Sequence, residues 1–332
     1  DLRQPSNVTA RYAEAFPLGY RTDYGPQEAA IDIRHMRKLA GGDVEGAQGK
    51  ADKRDVRLYR HASDGDGQLR LKIYQYEGSL PLSDAVPALE NFGFRVLAEM
   101  PTQLDEGRIG TIHDFTLALP AGRDADAVLA LAPTIEPALC AVLNGSGEDD
   151  AFNRLITGIG ISSNEAVWLR AIYRYVRQAG TNYTIVTVVD ALQNAPNVTL
   201  GILELFRARH DPAHTGNRAA AEEKASDAIR MGLANVAAIN DDRVLRLYRS
   251  IVDAVLRTNA FAPAAEALAF KLESALVPGL PKPVPWREIF VYSRRVEGIH
   301  LRSGPIARGG LRWSDRRDDF RTEILGLMKA QR

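Results

Sequence analysis

LRLKIYQYEGSLPLSDAVPALENFGFRVLAEMPTQLDEGRIGTIHDFTLAL, residues 69–119, decides the fold class. Leu69, Leu71 and Ile73, with Gln75, recur at every second position and mark one face of a strand, leaving Arg70, Lys72, Tyr74 and Tyr76 on the other. The period then changes. Across 81–93, PLSDAVPALENFG spaces Val86, Leu89 and Phe92 as a helix does, with Ser83 as its cap and Gly93 as its stop. Phe94 to Leu104 and Ile109 to Leu119 return to strands around the turn Asp105, Glu106, Gly107. Upstream, Val56 to Arg60 pairs with Leu69 to Tyr76 through ASDGDGQ, whose Asp-Gly steps supply the positive φ of a hairpin. Downstream, a helix covers Ala125 to Leu143. The order β-α-β-β-α predicts a ferredoxin-like antiparallel layer with helices on one face, lacking only a clear last strand.

On either side the pattern is helical. Residues 1–40 contain a segment from Arg11 to Phe16, a break at Pro17 and Gly19, and a second helix after Pro26 carrying Ala29, Ile33, Met36 and Leu39. Residues 41–55 are glycine-rich and charged, hence a loop. From Asp149 onward, helices are expected at 162–180, 184–193, 200–209, 218–238 and 241–259. The first opens on a capping box, Ser162-x-x-Glu165. PGLPKPVP (278–285) is stiff and predicts a domain boundary, after which Glu288 to Tyr292 and Gly298 to Leu301 return to strand. The class is therefore α+β. Its expected parts are a helical lead-in and loop (1–55), the α/β unit (56–147), a helical domain (148–277) and a further α/β start (278–332).

Composition narrows the function. The 332 residues are 45% hydrophobic, and 42 Lys plus Arg balance 42 Asp plus Glu, so no global charge drives binding to nucleic acid or an acidic membrane. The single cysteine, Cys140, excludes an internal disulfide and fits a reducing, cytoplasmic compartment; its apolar surroundings predict a buried, inert thiol. No apolar run reaches the ~18 residues of a membrane span. Neither GxGxxG nor GxxxxGK[ST] occurs, so the chain itself signals no dinucleotide or nucleotide site. The six histidines form no ligand cluster: Pro212 interrupts the i,i+4 pair His210 and His214, and His113 reads as a satisfied sheet residue. No metal site and no catalytic residue is expected.

One segment carries chemistry: the arginine- and glycine-bearing turn IARGGLRWSDRRDDFR (306–321). Adjacent Gly309 and Gly310 let backbone N–H groups approach an anion, and Arg308 and Arg312 flank them as bidentate donors to carboxylate or phosphate. The alternative is a solvated loop whose arginines pair with Asp315, Asp318 and Asp319. On residue chemistry the two readings stand level. Interleaved acids and sparse aromatics exclude a nucleic-acid face.

The same residues carry a resemblance. EIFVYSRRVEGIHLRSGPIARGGLRWSDRRDDFRTEILGLMKAQ (288–331) resembles the opening of the catalytic domain in the large NAD-dependent glutamate dehydrogenases of bacteria. FPLGYRTDYGPQEAAIDI (16–33), LRLKIYQYEGSLPLSDAVPALENFGFRVL (69–97), HDFTL (113–117), LRAIYRYVRQAG (169–180) and VLRTNAF (255–261) are similar to segments of that family in the same order. The resemblance implies oxidative deamination of L-glutamate to 2-oxoglutarate and ammonium with NAD⁺, by a homo-oligomer. It implies an ACT-like module at 56–147 that can bind an amino-acid effector. It makes Arg308, Gly309 and Gly310 part of a substrate carboxylate site, with Arg308 in place of the lysine of smaller glutamate dehydrogenases and Arg312 as a second candidate. The catalytic lysine and the NAD-binding domain belong to the part beyond residue 332, and Lys329 reads as an ordinary helix residue. The chain on its own is then expected to be inactive, and its last helix to fray for want of a partner. The other reading is a stand-alone effector-binding or oligomerisation module.

Overall fold

The computed structural model describes residues 11–12, 14–41, 53–120, 123–263, 265–306, 309–314 and 320–330. The chain divides into two compact units, residues 1–160 and 161–332.

The first unit opens with α1 (Leu18–Asp23) and α2 (Pro26–Leu39). Gly19 lies inside α1, so the expected break falls at Pro17 alone. Pro26 begins α2, where its missing N–H costs no hydrogen bond. Strands β1 (Arg54–Tyr59), β2 (Gln68–Gln75), β3 (Arg95–Leu104) and β4 (Gly110–Ala118) then form an antiparallel sheet in the order β1-β2-β4-β3. The expected loop at 41–55 thus ends early, at the start of β1, and its residues 42–52 lie outside the described ones. The place of the missing last strand, beside β2, is taken by β1 from the front of the chain.

Helices cover both faces of this sheet, a correction to the one-face expectation. Val56 and Leu58 lie directly across from Ile73 and Leu71, all buried, and this face meets α3 (Leu82–Asn91) and the later helix over Ala132–Leu143. The opposite face carries Tyr74 and Ile112 into a cluster with Phe16, Tyr20, Met36 and Leu39, so α1 and α2 seal it. Ser83 does not cap α3. Pro81 holds the cap position and Ser83 lies in the first turn, its hydroxyl 3.4 Å from Asp84 Oδ1. The single helix expected over 125–143 is two, α4 (Ala125–Leu129) and α5 (Ala132–Leu143), with Pro133 restarting the second. A short α6 (Arg154–Ile159) stops at Gly160, whose φ is +76°.

In the second unit α7 (Ser163–Gln178) opens on the expected capping box. Ser162 N–H donates to Glu165 Oε2 at 2.7 Å, and Glu165 N–H returns to Ser162 Oγ at 3.3 Å. Then come α8 (Ile185–Asn194), α9 (Pro196–His210), α10 (Arg218–Leu233) and α11 (Ile239–Ala254). Trp168, Phe206 and Phe261 meet with ring centroids 5.1–5.9 Å apart. The helix expected to reach residue 259 ends five residues earlier, because Val255–Thr258 is β5 and pairs with β6 (Leu268–Glu273). β7 (Arg287–Tyr292), β8 (Glu297–Arg302) and β9 (Gly309–Ser314) complete an antiparallel meander, β5-β6-β7-β8-β9. The proline-rich segment at 278–285 therefore joins two paired strands of one sheet, and the boundary expected there gives way to this pairing. α12 (Phe320–Ala330) buries Phe320, Ile324, Leu325 and Met328, packing on β8, β9 and α7. The apolar face expected to lack a partner has one within the chain.

Candidate functional site

The strand pair β7 and β8, the glycine strand β9 and α12 form the site singled out by the sequence. Gly309 and Gly310 lie in β9, not in a turn, paired with Arg302 and Leu301. The strand demands both glycines sterically. A Cβ on Gly309 would stand 1.9 Å from Leu301 O, and one on Gly310 would stand 2.6 Å from Ile324 Cγ2 on α12. Arg312 is half exposed and ion-paired with Glu323 of α12, so its partner is on the helix. Arg308 and the acids Asp315, Asp318 and Asp319 lie outside the described residues. Lys329 is exposed on α12.

Beneath this surface two carboxylates are buried and neutralised. Glu288 on β7 accepts from Arg321 Nη2 at 2.8 Å and Nε at 3.2 Å. Glu297 on β8 accepts from Arg174 Nε at 2.5 Å and from Gln178 at 3.4 Å. Burial, and then the charge of Glu288, push the Tyr175 phenol well above its ordinary range. These contacts fix the helices against the sheet. Both carboxylates are occupied by guanidinium groups, which suits them to positioning and not to proton abstraction. Among the described residues no three His, Cys, Asp or Glu side chains converge to hold a metal ion.

A second polar cluster, in the first unit, was not legible in the sequence. Lys72 on β2 is completely buried; its Nζ donates to Asp32 Oδ2 and Glu28 Oε1, both at 2.7 Å. Arg57 Nη1 reaches the same Glu28 oxygen at 2.6 Å. Asp32, also buried, accepts from Tyr20 at 2.6 Å and Tyr74 at 2.7 Å. Lys72 Nζ sits 4.2 Å from the Tyr24 ring centroid. Burial raises the Glu28 carboxyl, but Arg57 and Lys72 outweigh it and hold it below its usual range. Burial and Asp114 together push the Tyr24 phenol up to about 12. Alternation placed Lys72 and Tyr74 on the second sheet face, yet nothing local said that Glu28 and Asp32, some forty residues away, would meet them there.

The remaining sequence candidates have bland surroundings. His113 Nδ1 lies 2.8 Å from Glu99, as a satisfied sheet residue should. Cys140 is half-buried, less enclosed than expected, and its thiol donates to Arg54 O at 3.2 Å. No described helix is long and apolar enough to cross a membrane.

Four family models match in succession. Residues 5–39 match glutamate dehydrogenase helical motif 2, 53–128 its ACT3 domain and 147–212 its helical motif 3. Residues 228–332 match the catalytic domain of bacterial NAD-glutamate dehydrogenase. That last match begins in α10 and so includes α11, β5 and β6 with the later strands. Among curated proteins, the NAD-specific glutamate dehydrogenase of Pseudomonas aeruginosa is 37% identical over 98% of this chain, and that of Halomonas elongata 39% over 98%. The Mycobacterium tuberculosis protein of the same name is 36% identical over 96%. The chain spans about a fifth of the length of each, 20% in all three.

Proposed function

Because the chain carries domains of the bacterial NAD-glutamate dehydrogenase family along almost its whole length, we propose that it serves as a segment of a longer enzyme, converting L-glutamate to 2-oxoglutarate and ammonium. The observation that carries this reading is the catalytic-domain match over 228–332, joined to 37% identity with an NAD-specific glutamate dehydrogenase in an alignment covering 98% of the chain. In that reaction NAD⁺ accepts the hydride from the substrate Cα. Both sheets among the described residues are antiparallel, without the parallel strand, glycine turn and helix that cradle a dinucleotide. The described residues do not fit NAD, and its binding is assigned to another part of the enzyme.

This chain's share of the substrate site is Arg308, whose guanidinium would clamp one glutamate carboxylate through two parallel hydrogen bonds. Gly309 and Gly310 contribute a bare backbone beside it. Arg312 is the second cation of the group, and it would have to leave Glu323 to reach a substrate. The test uses the full-length enzyme. Arg308→Ala should raise KM for L-glutamate at least tenfold while leaving KM for NAD⁺ unchanged, and an unchanged glutamate KM overturns the assignment. The 332-residue chain alone should give no glutamate-dependent NADH.

A second reading concerns regulation. The ACT3 match over 53–128 supports an amino-acid effector bound by the first unit; the proposed setting is a cytoplasmic homo-oligomer.

A further inference from the structure

An open groove separates α2 from the chain that leads into it. It encloses about 730 Å³, within the range of small-molecule sites, and all its walls come from residues 12–37, ahead of the segment matched to the ACT3 domain. Its floor follows from a sequence period. Tyr12, Phe16, Tyr20 and Tyr24 recur at every fourth residue and line the groove together. Phe16 and Tyr20 have ring centroids 4.5 Å apart, and Tyr20 and Tyr24 4.8 Å. The first three rings are buried and the Tyr24 ring half-buried, so the floor is packed in place. On the facing wall of α2, Ala29 and Ala30 are too small to fill the space, and Ile33 completes the apolar lining.

The charge of the groove is one-sided. Arg21, Arg34 and Arg37 line it, and among the described residues no carboxylate does. Glu28 and Asp32 of the same helix turn to the sheet, where Lys72 and Arg57 take them. Arg34 is exposed and makes no hydrogen bond or ion pair among the described residues. Arg21 is held in place, its Nε donating to Phe16 O at 2.8 Å, five residues back along the chain. At 1.5 Å per residue, Arg34 stands about 12 Å along α2 from Pro26. The groove is therefore apolar where the chain turns at Gly25 and Pro26, and cationic at its far end.

We infer that this groove binds an amphipathic anion, an unbranched apolar chain lying along Ala29, Ala30 and Ile33 with its carboxylate or phosphate head on Arg34 and Arg37. Each methylene laid against that wall leaves water, and a guanidinium offers two parallel donors to either head group. An amino acid is disfavoured, since its ammonium group would meet three guanidinium groups and no carboxylate. A second copy of the chain pairing groove to groove is disfavoured as well, because arginine would face arginine. A free carboxylate and a phosphate monoester share the required chemistry. Binding here depends neither on the effector reading nor on glutamate dehydrogenase activity.

Calorimetry on the 332-residue chain with octanoate, octyl phosphate, octylamine and the four-carbon homologues of the two anions tests this. At least one eight-carbon anion should bind one to one, its four-carbon homologue at least tenfold more weakly, and octylamine not at all. Octyl phosphate binding tenfold or more tightly than octanoate identifies a phosphate head, and any smaller preference identifies a carboxylate. Arg34→Glu should weaken the bound anion at least tenfold. Ala30→Trp, on an exposed position, fills the groove without changing its charge and should weaken it by as much. The inference is overturned by no heat from both eight-carbon anions, by several molecules bound per chain, or by octylamine binding. It is equally overturned by a four-carbon homologue within tenfold of its parent, or by undiminished affinity in R34E or A30W.

Discussion

Arg321 on α12 and Glu288 on β7 are joined by two hydrogen bonds, 2.8 and 3.2 Å long, with side-chain exposures of 1% and 0%. A buried pair of this kind is costly to break, since the surviving charge stays in a low-dielectric interior without its partner. Arg321→Ala is expected to lower unfolding stability by about 3–5 kcal/mol. It should also remove amide-exchange protection across 320–330. The paired change Arg321→Met with Glu288→Leu should recover most of the loss, because neither charge then remains. Urea denaturation with exchange mass spectrometry reads both effects.

Lys72 and Asp32 pose the same question in the first unit, where both are fully buried. Lys72→Met retains the stem that packs among the tyrosines but strands Asp32 and Glu28 without their ammonium. The expected loss is again about 3–5 kcal/mol, whereas Lys72→Arg should lose less by keeping the charge. Equal denaturation midpoints for Lys72→Met and the parent chain would refute the assignment.

The two glycines of β9 should differ. A methyl on Gly310 meets the tip of Ile324, which can turn aside, so Gly310→Ala should cost about 1–3 kcal/mol. A methyl on Gly309 meets a backbone carbonyl at 1.9 Å, and nothing there can yield without unpairing β8 from β9. Gly309→Ala should therefore be the more damaging, with exposure of Trp313 and Leu311 unaltered at the outer surface but exchange of the β8 amides accelerated. The reverse order in thermal melts would contradict the steric account.

His210 gives the second unit a pH dependence. Its ring packs on Phe206 with centroids 5.1 Å apart, and burial, then Arg209, pushes its pKa down to about 4 from 6.5. Above pH 6.5 the ring is neutral in both folded and unfolded chains and adds no dependence. Between about 6.5 and about 4 the unfolded chain takes up a proton that the folded one resists, so stability falls as pH falls. Allowing for solvent screening of the partly exposed ring, the change is on the order of 1 kcal/mol. His210→Phe should flatten the unfolding free energy between pH 7 and pH 4.5, measured by denaturant titration at each pH.

Features legible in the sequence were those fixed within a few residues. The Ser162 and Glu165 capping box, the Asp-Gly hairpin at 64–67 and the alternation of Leu69, Leu71 and Ile73 all depend on neighbours along the chain. Local pattern failed where a distant partner decided. Leu256 fits the helical stripe of α11, yet β6 supplies open hydrogen bonds and converts Val255–Thr258 to strand. Gly309 and Gly310 read as a turn because glycine permits one. They stand in a strand because only a residue without a side chain lets β9 lie against Leu301 and Ile324 at once.

The candidate sites divide in the same way. The sequence by itself determined the α+β class, the order of elements across residues 56–118 and, through long shared motifs, the resemblance to glutamate dehydrogenases. It also named Arg308, since a cation next to two glycines in the sequence needs no distant partner to be noticed. Only the tertiary structure decided that Arg312 pairs with Glu323 and that Lys72 meets Asp32 and Glu28. The physical reason is range. Backbone propensity and capping act over a few residues, whereas burying a charge is decided by whichever segments close over it.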